Sequence, residues 1–86
     1  MIKVIKFEAS WCGPCKALSP IYGQVKQLNP DVTFTTIDVD QESSKTIEYG
    51  VRSVPTIIIE KDGQEVKRIT GMTTIPALTS LINSFK

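Results

Sequence analysis

The chain has 86 residues, 41% of them apolar and 22% charged, with a net charge of +1, two cysteines and no histidine. That length supports one hydrophobic core, so residues 1–86 are expected to form a single domain. The balanced charge offers no broad field to nucleic acid or an anionic membrane, and the absence of histidine excludes an imidazole base or ligand from this chain. No apolar run is long enough to span a bilayer. The opening MIKVIKFEAS shows neither an extended apolar segment nor a small-residue cleavage site, so the expected address is cytoplasmic. Thiols there stay reduced unless their disulfide is transient or catalytic.

Met1 to Phe7 is rich in Ile, Val and Phe with partial alternation, which suits a strand covered on both faces. After Trp11 to Cys15 comes a helical pattern with Ala17, Leu18, Ile21, Val25 and Leu28 on one stripe. Pro14 suits its first turn, whereas Pro20 lies further in and predicts a kink. Asn29-Pro30-Asp31 ends that helix, and Val32 to Val39 reads as a second strand. Glu42 to Tyr49 is a short helix with Gly50 as its stop. Thr56 to Glu60 and Glu65 to Thr70 form a hairpin around Lys61-Asp62-Gly63. Thr74 then caps an amphipathic helix carrying Ile75, Pro76, Leu78, Leu81, Ile82 and Phe85. The order βαβαββα predicts an α/β fold: a central mixed four-stranded sheet flanked by three helices.

Chemistry concentrates in Cys12 and Cys15, separated by Gly13 and Pro14. As a structural staple, a disulfide across so short a loop removes only roughly 2 kcal/mol of unfolded-state entropy. As a zinc site, two cysteines without histidine leave the shell of four incomplete, unless carboxylates or a second chain complete it. A dithiol redox pair agrees best with the local pattern. The pair follows a strand and opens a helix, so Cys12 meets unpaired N–H groups and the positive end of the helix dipole. Lowering a thiol pKa from about 8.5 to about 7 takes roughly 2 kcal/mol, within reach of those two effects. An exposed Cys12 thiolate would attack a disulfide, and an inward-facing Cys15 would resolve the mixed disulfide.

WCGPCK at residues 11–16 resembles the active-site motif of the thioredoxin family, and the likeness runs along essentially the whole chain. Pro20 is similar to the family's proline in the active-site helix, and Ile37-Asp38-Val39-Asp40 to the end of its next strand. Val54-Pro55-Thr56 resembles its cis-proline loop, Lys61-Asp62-Gly63 its hairpin, and Gly71 the glycine facing the active site. The resemblance implies a thioredoxin-like fold with Pro55 cis beside the cysteines. It implies substrate chains along Trp11, Val54, Pro55 and Gly71, with Met72 a further candidate for that rim. It also implies a protein-disulfide reductase that cycles Cys12 and Cys15 in electron transport, without a bound cofactor. Its partners would be disulfide-containing proteins and a thioredoxin reductase, with no nucleic acid or membrane, and the chain would act as a monomer.

This sequence departs from the family pattern in two ways. It starts at what is usually the family's second strand, leaving a minimal core also seen in glutaredoxins, yet it lacks their usual C-P-Y-C. It also places Lys6 where the family usually has a buried aspartate, Glu8 where an aromatic is common, and Thr36 at the site of a companion lysine. On a strand Lys6 and Glu8 point to the same side. Two expectations follow for Lys6: its ammonium reaches water at a sheet edge, or it lies beneath the active site paired with Glu8. Two alternative functions remain open: a glutathione-linked reductase of glutaredoxin type, and a binding subunit of a larger assembly that does not need redox turnover.

Overall fold

A computed structural model describes residues 1–86. The elements are β1 (Ile2–Glu8), α1 (Gly13–Leu28), β2 (Thr33–Asp38), α2 (Ser43–Glu48), β3 (Thr56–Lys61), β4 (Gln64–Thr70) and α3 (Ile75–Ser84). They form one four-stranded sheet in the order β2-β1-β3-β4. β1 runs parallel to β2 and antiparallel to β3, which pairs with β4. This is the mixed sheet with three helices read from the sequence.

β1 is central, so both of its faces are covered. Ile2 and Val4, with Ile57 and Ile59 of β3, pack against Leu18, Tyr22 and Val25 of α1 and Leu78 and Ile82 of α3. Ile5, Phe7, Ile37 and Ile58 form the core of the opposite face, under Val39, Tyr49, Val51 and Val54. The rings of Phe7 and Tyr49 lie 5.5 Å apart there. Each fully buried aliphatic side chain is worth roughly 1.5–3 kcal/mol, so these two clusters carry the fold.

The stripe of α1 differs from the sequence reading. Cys15, Leu18, Tyr22 and Val25 face inward, whereas Ala17 is exposed and Leu28 is 61% exposed. From Cys15 the buried stripe runs by steps of three and four through Leu18, Tyr22 and Val25, then by a step of four to Asn29, which passes over Leu28, and Ala17 lies off it. Pro20 lies inside α1, which continues as one helix from Gly13 to Leu28. The strand ends also shift slightly, with β1 extending to Glu8 and β2 stopping short of Val32 and Val39.

The punctuation falls where the sequence placed it. Gly50 follows α2 with φ +64°, in the region where a side chain is disfavoured. Asp62 and Gly63 take φ values of 54° and 84° between Lys61 and Gln64, the left-handed pair of a two-residue hairpin. Thr74 caps α3 by accepting from the Ala77 N–H at 3.2 Å.

Candidate active site

β1 ends at Glu8, and Ala9 to Trp11 turn the chain into α1. The Cys12 N–H donates to the Ala9 carbonyl at 3.2 Å, closing this turn. Cys12 is extended and occupies the N-cap of α1, where its sulfur accepts from the Cys15 N–H at 3.1 Å. Cys12 and Cys15 are joined by a disulfide, with their Cα atoms 5.3 Å apart. Gly13 and Pro14 are the first residues of the helix, and proline there sacrifices only an N–H that the first turn leaves unpaired.

Both cysteines are 3% exposed. The reading of Cys12 as exposed is therefore corrected for this oxidised form. Ala9, Val39 and Val54 pack around the pair and cover both residues. Val39 is tied there by its N–H, which donates to the Glu8 carbonyl at 2.9 Å.

The Val54-Pro55 bond is cis, and Pro55 is buried. The Pro55 carbonyl accepts from the Gly71 N–H at 2.9 Å, and Gly71 has φ +92°. Beside the disulfide, Trp11, Val39, Thr46, Val51, Arg52, Ser53 and Val54 line a groove of about 120 Å³. Trp11 is 69% exposed and its indole N–H donates to Asp40 Oδ2 at 2.9 Å, which fixes the ring at the groove's mouth. Trp11 and Val54 thus line the same groove, and Pro55 and Gly71 are bonded to each other next to Val54 in the chain. Met72 follows Gly71 half-exposed and is not among the walls of this groove.

Lys6 is buried, which overturns the solvent-exposed alternative for its ammonium. β1 has β2 on one side and β3 on the other, and α1 lies across this face, so no sheet edge is within reach. Lys6 Nζ lies 2.9 Å from Glu8 Oε1 and donates to Ser19 Oγ at 3.1 Å. It also sits 4.9 Å from the centre of the Tyr22 ring. Ser19 in turn donates to the Cys15 carbonyl at 3.3 Å. The three donors of the ammonium therefore meet a carboxylate, a hydroxyl and an aromatic face. Thr36 is the β2 neighbour of Lys6 and is exposed.

The sequence reading missed Ser19, Tyr22, Asp40 and Arg52. Ser19 had a usable signal, since it lies four residues after Cys15 and so on the same face of the helix. Asp40 and Arg52 had none, because they approach Trp11 only once β2 and the loop before Pro55 are folded. No three His, Cys, Asp or Glu side chains converge anywhere in the chain, and no helix is long and apolar enough to cross a membrane.

The thioredoxin family model matches residues 1–84. A thioredoxin of Chlamydia pneumoniae is 42% identical over 80 residues, spanning 93% of this chain and 78% of that protein. One from Mycoplasmoides gallisepticum is 46% identical over 68 residues, 79% of this chain and 68% of its own length. The X-ray structure of Fasciola hepatica thioredoxin superposes with a TM-score of 0.91 at 35% identity, covering 99% of this chain and 81% of the other. Sequence kinship and shared fold agree with the disulfide at the head of α1. The chain belongs to the thioredoxin family and is a thiol-disulfide oxidoreductase.

Proposed function

We propose that residues 1–86 work as one unit that reduces protein disulfides, with Cys12 as nucleophile and Cys15 as resolving thiol. The observation that carries this reading is the Cys12 sulfur at the N-cap of α1, 3.1 Å from the Cys15 N–H. In the reduced protein that N–H and the helix dipole favour a thiolate at Cys12. The thiolate attacks one substrate sulfur, forming a mixed disulfide while the other substrate sulfur leaves. Cys15, losing its proton, then attacks the Cys12 sulfur and releases the second substrate thiol. Two electrons pass to the substrate and the Cys12–Cys15 disulfide closes.

Trp11, Val54, Pro55, Gly71 and Met72 are proposed as the rim along which an extended substrate chain lies. Gly13 and Pro14 hold the motif open at the start of the helix, and Lys6 and Glu8 support it from behind. The dithiol needs no bound cofactor. A thioredoxin reductase using NADPH is the proposed electron source, and a reducing compartment such as the cytoplasm suits the cycle. The protein is proposed to act as a monomer, without nucleic acid or membrane partners.

Insulin reduction tests this directly, with NADPH and a thioredoxin reductase in one assay and glutathione with glutathione reductase in another. Wild type is expected to turn over with the first system and Cys12→Ser with neither. Turnover with glutathione alone selects a glutaredoxin-like reductase. Unchanged activity in Cys12→Ser rules out the mechanism. Inactivity of wild type in both assays supports a binding subunit or a different reductase as electron source.

A further inference from the structure

We propose that Arg68, on the edge strand β4, is a positioning residue for substrate docking: it holds the end of α2 and so sets the wall of the groove beside the disulfide. This inference rests on the reading of that groove as the place where substrate chains lie. Arg68 is not itself among the groove's walls. Its Nη2 donates to the Tyr49 carbonyl at 2.6 Å, and its Nη1 to the Gly50 carbonyl at 3.4 Å. Tyr49 is the C-cap of α2, and Gly50 stands directly before the wall residues Val51, Arg52, Ser53 and Val54.

The local sequence explains how Arg68 is aimed. On a regular strand, residues three apart point to opposite faces of the sheet. Here the register passes from Ile59 opposite Lys67 to Glu60 opposite Glu65, so Val66 is one extra residue, the pattern of a β-bulge. The extra residue returns Glu65 and Arg68 to one side. There the Glu65 carboxylate accepts from Arg68 Nε at 2.9 Å and from Nη2 at 2.8 Å. This bidentate pair fixes the plane of the guanidinium and leaves its remaining N–H groups for the two carbonyls. Arg68 lies opposite Ile58, in whose core cluster Tyr49, Val51 and Val54 also pack.

α2 has little of its own to hold it. It is 6 residues long, its N-cap makes no side-chain bond, and none of its residues is buried. A cation at its C-terminal end opposes the negative end of the helix dipole, and the guanidinium meets carbonyls that the helix leaves unpaired. The other polar ties are the Gly50 and Val51 N–H groups, which donate to Ile47 and Thr46, and the Tyr49 hydroxyl, which donates to Glu60. The backbone bonds stay within the segment, and the packing of Tyr49 on Phe7 is not directional. Arg68 thus fixes the two carbonyls against the sheet. Without it, the wall made by Thr46 and residues 51–54 loosens, while the disulfide at the head of α1 keeps its place.

The test mixes prereduced protein with excess insulin, or with a small disulfide that does not fill the groove, so that no reductase enters. The dependence of rate on disulfide concentration gives a half-saturating concentration and a limiting rate. Arg68→Met is expected to raise the half-saturating concentration of insulin about threefold or more, with its limiting rate and the small-disulfide reaction unchanged. Amide exchange at Gly50 and Val51 should quicken about tenfold, while that of β1 stays as in wild type. Arg68→Lys keeps the charge but loses the fork, and should fall between Arg68→Met and wild type. Glu65→Gln should shift insulin in the same direction by less. Equal losses with insulin and the small disulfide overturn the inference, as does faster amide exchange with an unmoved insulin saturation. Should Arg68→Met fail to fold, the direction of the Glu65→Gln shift decides. Wild type that does not react with insulin overturns the docking reading itself, whereas normal wild-type reaction with an unmoved Arg68→Met overturns this inference alone.

Discussion

The Tyr22 hydroxyl reaches from α1 to the Thr35 carbonyl of β2 at 2.6 Å, with the Val4 carbonyl of β1 at 3.1 Å. One phenol thereby bridges the helix to two neighbouring parallel strands, through a buried bond to Val4 and a part-buried one to Thr35. Burial pushes its pKa up, well beyond the usual tyrosine range.

Tyr22→Phe is expected to cost about 1–3 kcal/mol, because a buried and a part-buried carbonyl lose their shared donor. Denaturant unfolding measures this. The pH profile carries a second signature. The folded pKa lies above the unfolded one, so the contribution of Tyr22 is complete below about pH 10 and lost as pH rises from there. Wild type should weaken in that alkaline window, and Tyr22→Phe should show a flatter profile. Tyr49, also raised by burial and then by its bond to Glu60, keeps a slope of its own. A Tyr22→Phe profile parallel to wild type would contradict the assignment.

The hairpin between β3 and β4 separates stability from activity. Gly63 has φ +84°, so Gly63→Ala should cost about 1–2 kcal/mol through backbone strain. For a domain of this size that lowers the melting temperature by roughly 4–8 °C per kcal/mol. Register places Lys61 beside Ile2, at the end of β1 opposite Glu8 and the cysteines. Insulin reduction below the melting range should therefore match wild type.

Trp11→Ala should show the reverse. The ring is 69% exposed, so its loss should change stability by no more than about 0.5 kcal/mol. Trp11 is a wall of the groove, and under the proposed docking role its loss should raise KM for a protein disulfide about fivefold or more, a penalty of about 1 kcal/mol. Steady-state kinetics with insulin, beside a small disulfide that does not fill the groove, separate this from a defect in the thiols. Equal losses with both substrates would place the role of Trp11 in the chemistry instead.

Much of the architecture was legible along the chain because its signals are local. Asp62-Gly63 demanded a left-handed pair whatever surrounded it, and Thr74 and Gly50 mark helix ends through bonds or backbone angles within a few residues. The position of Cys12 at a helix start followed from the strand before it and the proline after it. The rotation of α1 was less legible, since Ala17 and Leu28 are as apolar as the residues that turned inward. Only packing against the sheet chose the stripe through Cys15 and Tyr22.

By itself the sequence determined the element order, the dithiol and its kinship, all of which rest on spacing within a few residues or on motif identity. It also determined that Lys6 and Glu8 share a side, because side chains on a strand alternate. Whether that side met water or protein was decided only when α1 folded across β1, bringing Ser19 and Tyr22 over the ammonium. Burial depends on what covers a residue, and here the cover comes from thirteen residues further along the chain. The same holds for Asp40, which lies 29 residues from Trp11 yet bonds its indole. Period and motif act over a few residues, whereas desolvation and pairing of charge depend on neighbours that only the tertiary fold supplies.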